Sequence, residues 1–336
     1  MRCKLSLLLI FLFTVATAAR AQQAQPQQPA QPARPQAGVP AGVRIERDIA
    51  YVPDGTPAQR LDLYLPEKPA DKPMPLVIWV HGGGWRGGSK AGGARAAFLL
   101  PHGYAVASIE YRFSNVALFP AQIQDCQAAV RWLRANAMKY NLDPQRFGAA
   151  GDSAGGHLVA LMGATGGQKT FPPIGGNEEQ SDAIQAVCDF YGPADFTTVA
   201  AQAAADTAVK NIFDFAAAKD PYSLLIGGPL TDKAKAQAVS PVHYVGKSSP
   251  PILILHGTAD ALVPYAQSVQ LADAYKAAGA TAYLQTFPNG GHGGGAFGKP
   301  EVRDLIKAFF DKHLKGDDVK FELLPPEQLA APAPAK

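Results

Sequence analysis

Phe147-Gly148-Ala149-Ala150, Gly151-Asp152-Ser153-Ala154-Gly155-Gly156 and His157-Leu158-Val159-Ala160-Leu161-Met162 follow one another without a break, and they read as strand, tight turn and helix. In that context a G-x-S-x-G run marks a nucleophile elbow. Small neighbours let the backbone make a strained turn that holds the Ser153 hydroxyl out above a sheet edge. The competing reading is an ordinary N-cap serine opening a glycine-rich helix; the strand pattern before it and the second glycine pair favour the elbow. A serine hydroxyl is a weak nucleophile alone, so the elbow requires a base, and a group that orients the base, further along the chain.

Both are found downstream. His256-Gly257-Thr258-Ala259-Asp260 follows the apolar run Ile252-Leu253-Ile254-Leu255, which puts Asp260 in a loop at the carboxyl end of a late strand. His292 sits in Asn289-Gly290-Gly291-His292-Gly293-Gly294-Gly295, after the last strand pattern and before the terminal helix. The order Ser153, Asp260, His292 is the chain order of a Ser-His-Asp triad on this kind of sheet. Asp189 and Asp195, beyond an earlier strand, compete for the acid position, and a simple turn aspartate or surface-loop histidine are the plainer readings of Asp260 and His292. Upstream, His81-Gly82-Gly83-Gly84-Trp85 ends another apolar run. Consecutive glycines let main-chain N–H groups converge on one point, so Gly83, Gly84 and the N–H of Ala154 are the candidate oxyanion donors. No phosphate-loop register fits these glycines, and His81 reads as a brace for the loop.

Working outward, apolar runs at 76–80, 104–109, 147–150, 184–190, 252–255 and 282–284 alternate with helical patterns. Such runs are buried on both faces, as in a parallel sheet covered by helices. Ile123, Cys126, Val130, Leu133 and Ala137 recur at helical spacing. Residues 43–52 and 59–65 alternate around Pro53-Asp54-Gly55-Thr56-Pro57, which predicts a starting hairpin. The expected fold is α/β: a mostly parallel eight-stranded sheet covered by helices. Residues 192–247 are too long for a plain crossover and predict an inserted, largely helical cap.

The chain of 336 residues is 47% hydrophobic and 18% charged, enough to bury a large core. Its start predicts an export leader over residues 1–21: Arg2 and Lys4, an apolar run too short to span a bilayer, then Ala19-Arg20-Ala21 as a cleavage site. The expected location is therefore periplasmic or extracellular, without a stable membrane anchor. Removing Arg2, Lys4 and Arg20 leaves 28 cations against 28 carboxylates; with no basic stripe, nucleic acid is not expected as a partner. Gln, Pro and Ala dominate residues 22–42, a linker composition, and residues 316–336 read as a flexible tail. The domain proper is expected over 43–315. Cys126 and Cys188 would share an oxidising compartment where a bridge is permitted, while their apolar surroundings equally suit free buried thiols. The remaining histidines lack ligand spacing, so neither a metal nor another cofactor is expected. Oligomeric state is not readable.

The ordered set His81 to Trp85, Tyr111-Arg112 with Phe119-Pro120-Ala121-Gln122-Ile123-Gln124-Asp125, Gly151 to Leu158, His256 to Pro264 and Gly290 to Gly293 resembles the α/β-hydrolase superfamily. Within it, the set is similar to the hormone-sensitive-lipase-like and bacterial feruloyl and acetyl esterase branch. The resemblance spans residues 43–315. It implies the α/β-hydrolase fold and carboxylic ester hydrolysis through an acyl-enzyme, on small-molecule or carbohydrate esters such as acetyl or feruloyl groups of plant polysaccharides. The same motifs occur in lipid-type esterases, arylformamidases and some peptidases, so an amide hydrolase of this fold, or a binding protein on the scaffold, remains an alternative.

Overall fold

The computed structural model describes residues 38–330 apart from 216 and 218. The leader 1–21 and most of the linker 22–42 lie outside the described residues. Eight strands form one sheet: β1 (Val43–Ala50), β2 (Arg60–Pro66), β3 (Met74–Val80), β4 (Ala105–Ile109), β5 (Leu142–Asp152), β6 (Ala186–Phe190), β7 (Ile252–Gly257) and β8 (Ala282–Phe287). Their order is β1-β2-β4-β3-β5-β6-β7-β8. β1 and β2 pair antiparallel and β2 joins β4 antiparallel; from β4 to β8 every pairing is parallel.

The apolar runs of β3, β4 and β7 are buried throughout, as their composition implied, whereas Ala282, Tyr283 and Leu284 on the edge strand β8 are only half-buried. Leu76, Ile78 and Val80 enter one core, against α1 (Ala121–Ala135), α2 (Ala154–Thr165) and α6 (Ala266–Ala278), whereas Val77 and Trp79 enter a second. Alternate side chains of a strand point to opposite faces, so a strand clad on both sides must be apolar throughout. The second core is closed by α7 (Pro300–Phe310), through Val302, Leu305, Ile306, Phe309 and Phe310, and by 3₁₀ turns over Lys90–Arg95 and Ala97–His102.

Two expectations meet a different structure. The segment 192–247 carries only short helices, α3 (Val199–Ala205), α4 (Pro221–Ile226) and α5 (Lys233–Val239), joined by irregular backbone. Its alanine-rich sequence favours helix, but Asp220 caps a fresh helix at Pro221 and Gly227 ends it in the left-handed conformation. Second, residues 317–330 do not read as a loose tail. Phe321 packs edge-to-face against Tyr283, Gln285 exchanges hydrogen bonds with the Leu324 backbone, and Leu329 in α8 (Pro326–Leu329) is buried. Apolar residues spread thinly among Asp, Glu and Pro conceal this docking in the composition; residues 331–336 lie outside the described residues. Of the two states open to Cys126 and Cys188, the structure has the free thiols, each buried, one on α1 and the other on β6.

Candidate active site

The loops at the carboxyl ends of β3, β5, β6, β7 and β8 converge on Ser153. Its backbone has φ 55° and ψ −120°, a conformation a side-chain-bearing residue adopts only when its surroundings impose it. Two contacts impose it: the Ser153 N–H donates to Phe190 O at 2.8 Å, and Ser153 O accepts from His157 N at 2.9 Å.

The three residues read as a triad form one hydrogen-bond chain. Ser153 Oγ lies 2.9 Å from His292 Nε2, and His292 Nδ1 lies 2.6 Å from Asp260 Oδ2. A carboxylate facing Nδ1 fixes the proton there, which leaves the Nε2 lone pair for the serine hydroxyl. Burial alone would raise the pKa of Asp260, but hydrogen bonds from His256 and His292 outweigh it and hold the carboxyl below the usual range, ionised at any working pH. The loops that carry Asp260 and His292 also touch. A Cβ on Gly257 would lie 2.1 Å from Gly290 O, so only glycine permits that approach, and Ala259 N donates to Gly290 O at 2.8 Å. The rivals are committed elsewhere: Asp195 accepts from Thr197 and Gln270, and Asp189 Oδ1 accepts from Gly192 N at 2.9 Å.

Asp189 is fully buried, its carboxyl pushed up from 3.8 to about 7 by burial, which outweighs the Gly192 hydrogen bond. A carboxyl with a raised native value favours the fold most while both states are protonated; that contribution fades as pH rises past 3.8 and through about 7. Asp189→Asn keeps the Oδ1 acceptor and removes the titration. The expected result is a urea midpoint whose decline between about pH 4 and 8 is flatter than the wild type's, by a few kcal/mol of stability. Parallel profiles for the two proteins would contradict this account.

The glycine loop after β3 lies against the elbow: a Cβ on Gly82 would sit 3.1 Å from Ser153 Cβ. Gly82 N donates to Asp152 Oδ1 at 2.8 Å, and Arg95 Nη1 donates to Asp152 Oδ2 at 2.6 Å. Gly83 has φ 119° and a Cβ there would meet Gly87 O at 2.2 Å, so this turn requires glycine. Among the described residues the N–H groups of Gly83 and Gly84 donate to no protein acceptor, and Ala154 opens α2, where N–H groups have no partner within the helix. His81 fills the bracing position read for it, with Nε2 3.0 Å from Glu110 Oε1 and its ring stacked on Tyr111 at 4.5 Å.

Other residues at the site were given no role by the sequence, although Trp85, His157 and His256 lie within the motifs. Trp85 Nε1 donates to His157 Nδ1 at 3.2 Å, and His157 Nε2 is 2.7 Å from Val239 O, which ties the glycine loop, α2 and the inserted segment together. Burial pulls His157 down to about 4, against the opposing Val239 hydrogen bond, so it serves as a neutral linker. Tyr191 lies with its ring centroid 4.5 Å from that of His292 and walls that imidazole. His256 contacts Asp260 as well, at 3.1 Å. Ser153 and His292 open into a cavity of about 1010 Å³. Its lining includes Phe98, Phe190, Tyr191, Phe297 and Arg303 together with Gly83, Gly84, Ile212, Phe213 and Pro221.

The chain matches the BD-FAE family over residues 61–275, a stretch holding Ser153 and Asp260. It is 30% identical over 255 residues to Esterase LipC of Mycobacterium tuberculosis, an alignment covering 74% of this chain and 59% of LipC. The chain thus spans less than two thirds of the length of such curated relatives. Among solved structures, a truncated form of a carbohydrate esterase from gut microbiota superposes with TM-score 0.72 and 34% identity, covering 80% of this chain and 95% of that one. A bifunctional GH43-CE protein of Bacteroides eggerthii gives TM-score 0.71 and 32% identity, covering 80% and 35%.

Proposed function

The chain belongs to the BD-FAE family, on an α/β-hydrolase fold, and on that premise we propose that it is a serine carboxylesterase. It hydrolyses short-chain or aryl esters, including acetyl or feruloyl groups on carbohydrate, through an acyl-enzyme on Ser153. The observation that carries this reading is the unbroken chain Ser153 Oγ, His292 Nε2, His292 Nδ1, Asp260 Oδ2 opening on the cavity. The names of LipC and of the gut carbohydrate esterase support the ester and sugar halves of it respectively. The leader composition supports action outside the cytoplasm.

In the proposed reaction His292 Nε2 takes the Ser153 proton as Oγ attacks the ester carbonyl carbon. The carbonyl electrons move onto oxygen, and the N–H groups of Gly83, Gly84 and Ala154 stabilise that anion. Asp260 stabilises the imidazolium and fixes its orientation. Collapse of the tetrahedral adduct expels the alcohol, which receives the proton from His292, and leaves an ester on Ser153. Water, deprotonated by His292, attacks that ester and releases the acid and free Ser153.

The test is acyl release by the purified protein from acetylated xylan, methyl ferulate and p-nitrophenyl esters from acetate to octanoate. Acetate or ferulate release from the first two substrates is the expected result. Turnover of p-nitrophenyl esters alone would restrict the reading to a generic carboxylesterase, and no turnover at all would favour the amidase and binding alternatives.

A further inference from the structure

Asp260 Oδ2 is approached by two imidazoles. His292 Nδ1 lies 2.6 Å from it and His256 Nε2 lies 3.1 Å from it. His256 is fully buried at the carboxyl end of β7. Its protonation pattern follows from its neighbours. Nε2 is also 3.1 Å from Val263 O, a carbonyl that can only accept, so Nε2 carries a hydrogen. Nδ1 lies 2.6 Å from Ser268 Oγ on α6, whose hydroxyl can donate to it. Asp260 Oδ1 meanwhile accepts from Leu262 N at 2.8 Å and Val263 N at 2.9 Å. The carboxylate is therefore held by four N–H donors, of which only one belongs to the base.

We propose that His256 is a positioning residue for the acid and base pair: oriented by Ser268, it fixes Asp260 and takes up part of the charge on Oδ2, which tunes the hold of Asp260 on His292. The proposal rests on the esterase reading for its kinetic readouts. The ring adds to Oδ2 one donor whose direction is fixed by the contacts at both of its nitrogens. The polar and aromatic groups facing His256 are Asp260 and Val263 O from its own loop, Ser268 and Tyr265 from α6 and its N-cap, and Tyr191 from the loop after β6.

The test compares His256→Leu with His256→Gln, whose side-chain amide presents an N–H near the position of Nε2. With p-nitrophenyl acetate, His256→Leu is expected to lose about 10- to 100-fold in kcat with KM little changed. The acid limb of its kcat/KM profile moves up by roughly half a pH unit or more, because the undivided charge of Oδ2 then falls on His292. His256→Gln recovers both. The low-field proton resonance of the His292 to Asp260 hydrogen bond shifts in the Leu variant and returns in the Gln variant. An unmoved acid limb and resonance in folded His256→Leu, or failure of folded His256→Gln to recover either, overturns the proposal. Should His256→Leu not fold, Ser268→Ala decides: a smaller shift of the same sign supports the proposal, and none overturns it. Absence of Ser153-dependent turnover together with the resonance shift would remove the esterase reading while leaving the positioning role standing.

Discussion

Replacing Ser153 by Ala is expected to lower ester turnover by about 10⁶-fold while leaving the thermal midpoint nearly unchanged. The size follows from geometry. Ser153 Oγ is the atom that His292 Nε2 addresses at 2.9 Å, and no other hydroxyl bonds that nitrogen among the described residues. Its loss removes the covalent route and leaves only what the glycine loop and the cavity can do by binding and polarising the ester, typically about 10³ to 10⁴ over water. The fold should tolerate the change, because the elbow is held by main-chain bonds, Ser153 N to Phe190 O and His157 N to Ser153 O, in which Oγ takes no part. The check is stopped-flow and steady-state release of p-nitrophenol, with circular dichroism as the folding control. Retention of more than a trace of activity would place the nucleophile elsewhere.

Asp260→Asn is expected to cost about 10⁴-fold in kcat. All four partners of the carboxylate donate: His292 Nδ1, His256 Nε2, Leu262 N and Val263 N. An amide offers only one acceptor oxygen with an NH₂ beside it, so one side of the substituted side chain must face donors with a donor. If the amide oxygen keeps Leu262 and Val263, the NH₂ confronts His292, whose stable tautomer then puts its proton on Nε2, the nitrogen that must accept from Ser153. The variant should bind substrate normally and accumulate little acyl-enzyme, measured as the loss of burst amplitude with KM preserved. A loss of only a few fold would return the acid role to Asp189 or Asp195, although both bond other partners.

Much of this arrangement was legible in the chain because the relevant signals are local. Strands clad on both faces leave continuous apolar runs such as Leu76 to Val80, the glycine loop and the elbow directly follow such runs, and Asp260 and His292 lie in the loops after β7 and β8. What was not legible depends on packing between distant segments. Tyr191 over His292, Arg95 on Asp152, and Trp85 bonded to His157 join residues with no periodic or compositional link. His256 lay inside a motif already singled out, yet its histidine shows a role only when Val263 O and Ser268 Oγ are seen to set its protons. The segment 192–247 and residues 317–330 misled in opposite ways. Alanine content overstated helix in the first, and scattered charges and prolines hid the docking of Phe321 and Leu329 in the second.

The contact between Gly257 and Gly290 has a meaning for how such a protein can diversify. It brings the loop of Asp260 against the loop of His292 at main-chain distance, where Ala259 N donates to Gly290 O and Asn289 N to Thr258 Oγ1. The wall built from Ile212, Phe213 and Pro221 belongs to a separate stretch of chain, entered after β6 and left before β7. That stretch is also tied to the loop of Asp260 and to α2 away from the cavity, through Ile212 N to Ala261 O at 2.8 Å and His157 Nε2 to Val239 O at 2.7 Å. Any reshaping of that wall therefore has to preserve these two ties if the loop of Asp260 and the helix after Ser153 are to keep their places.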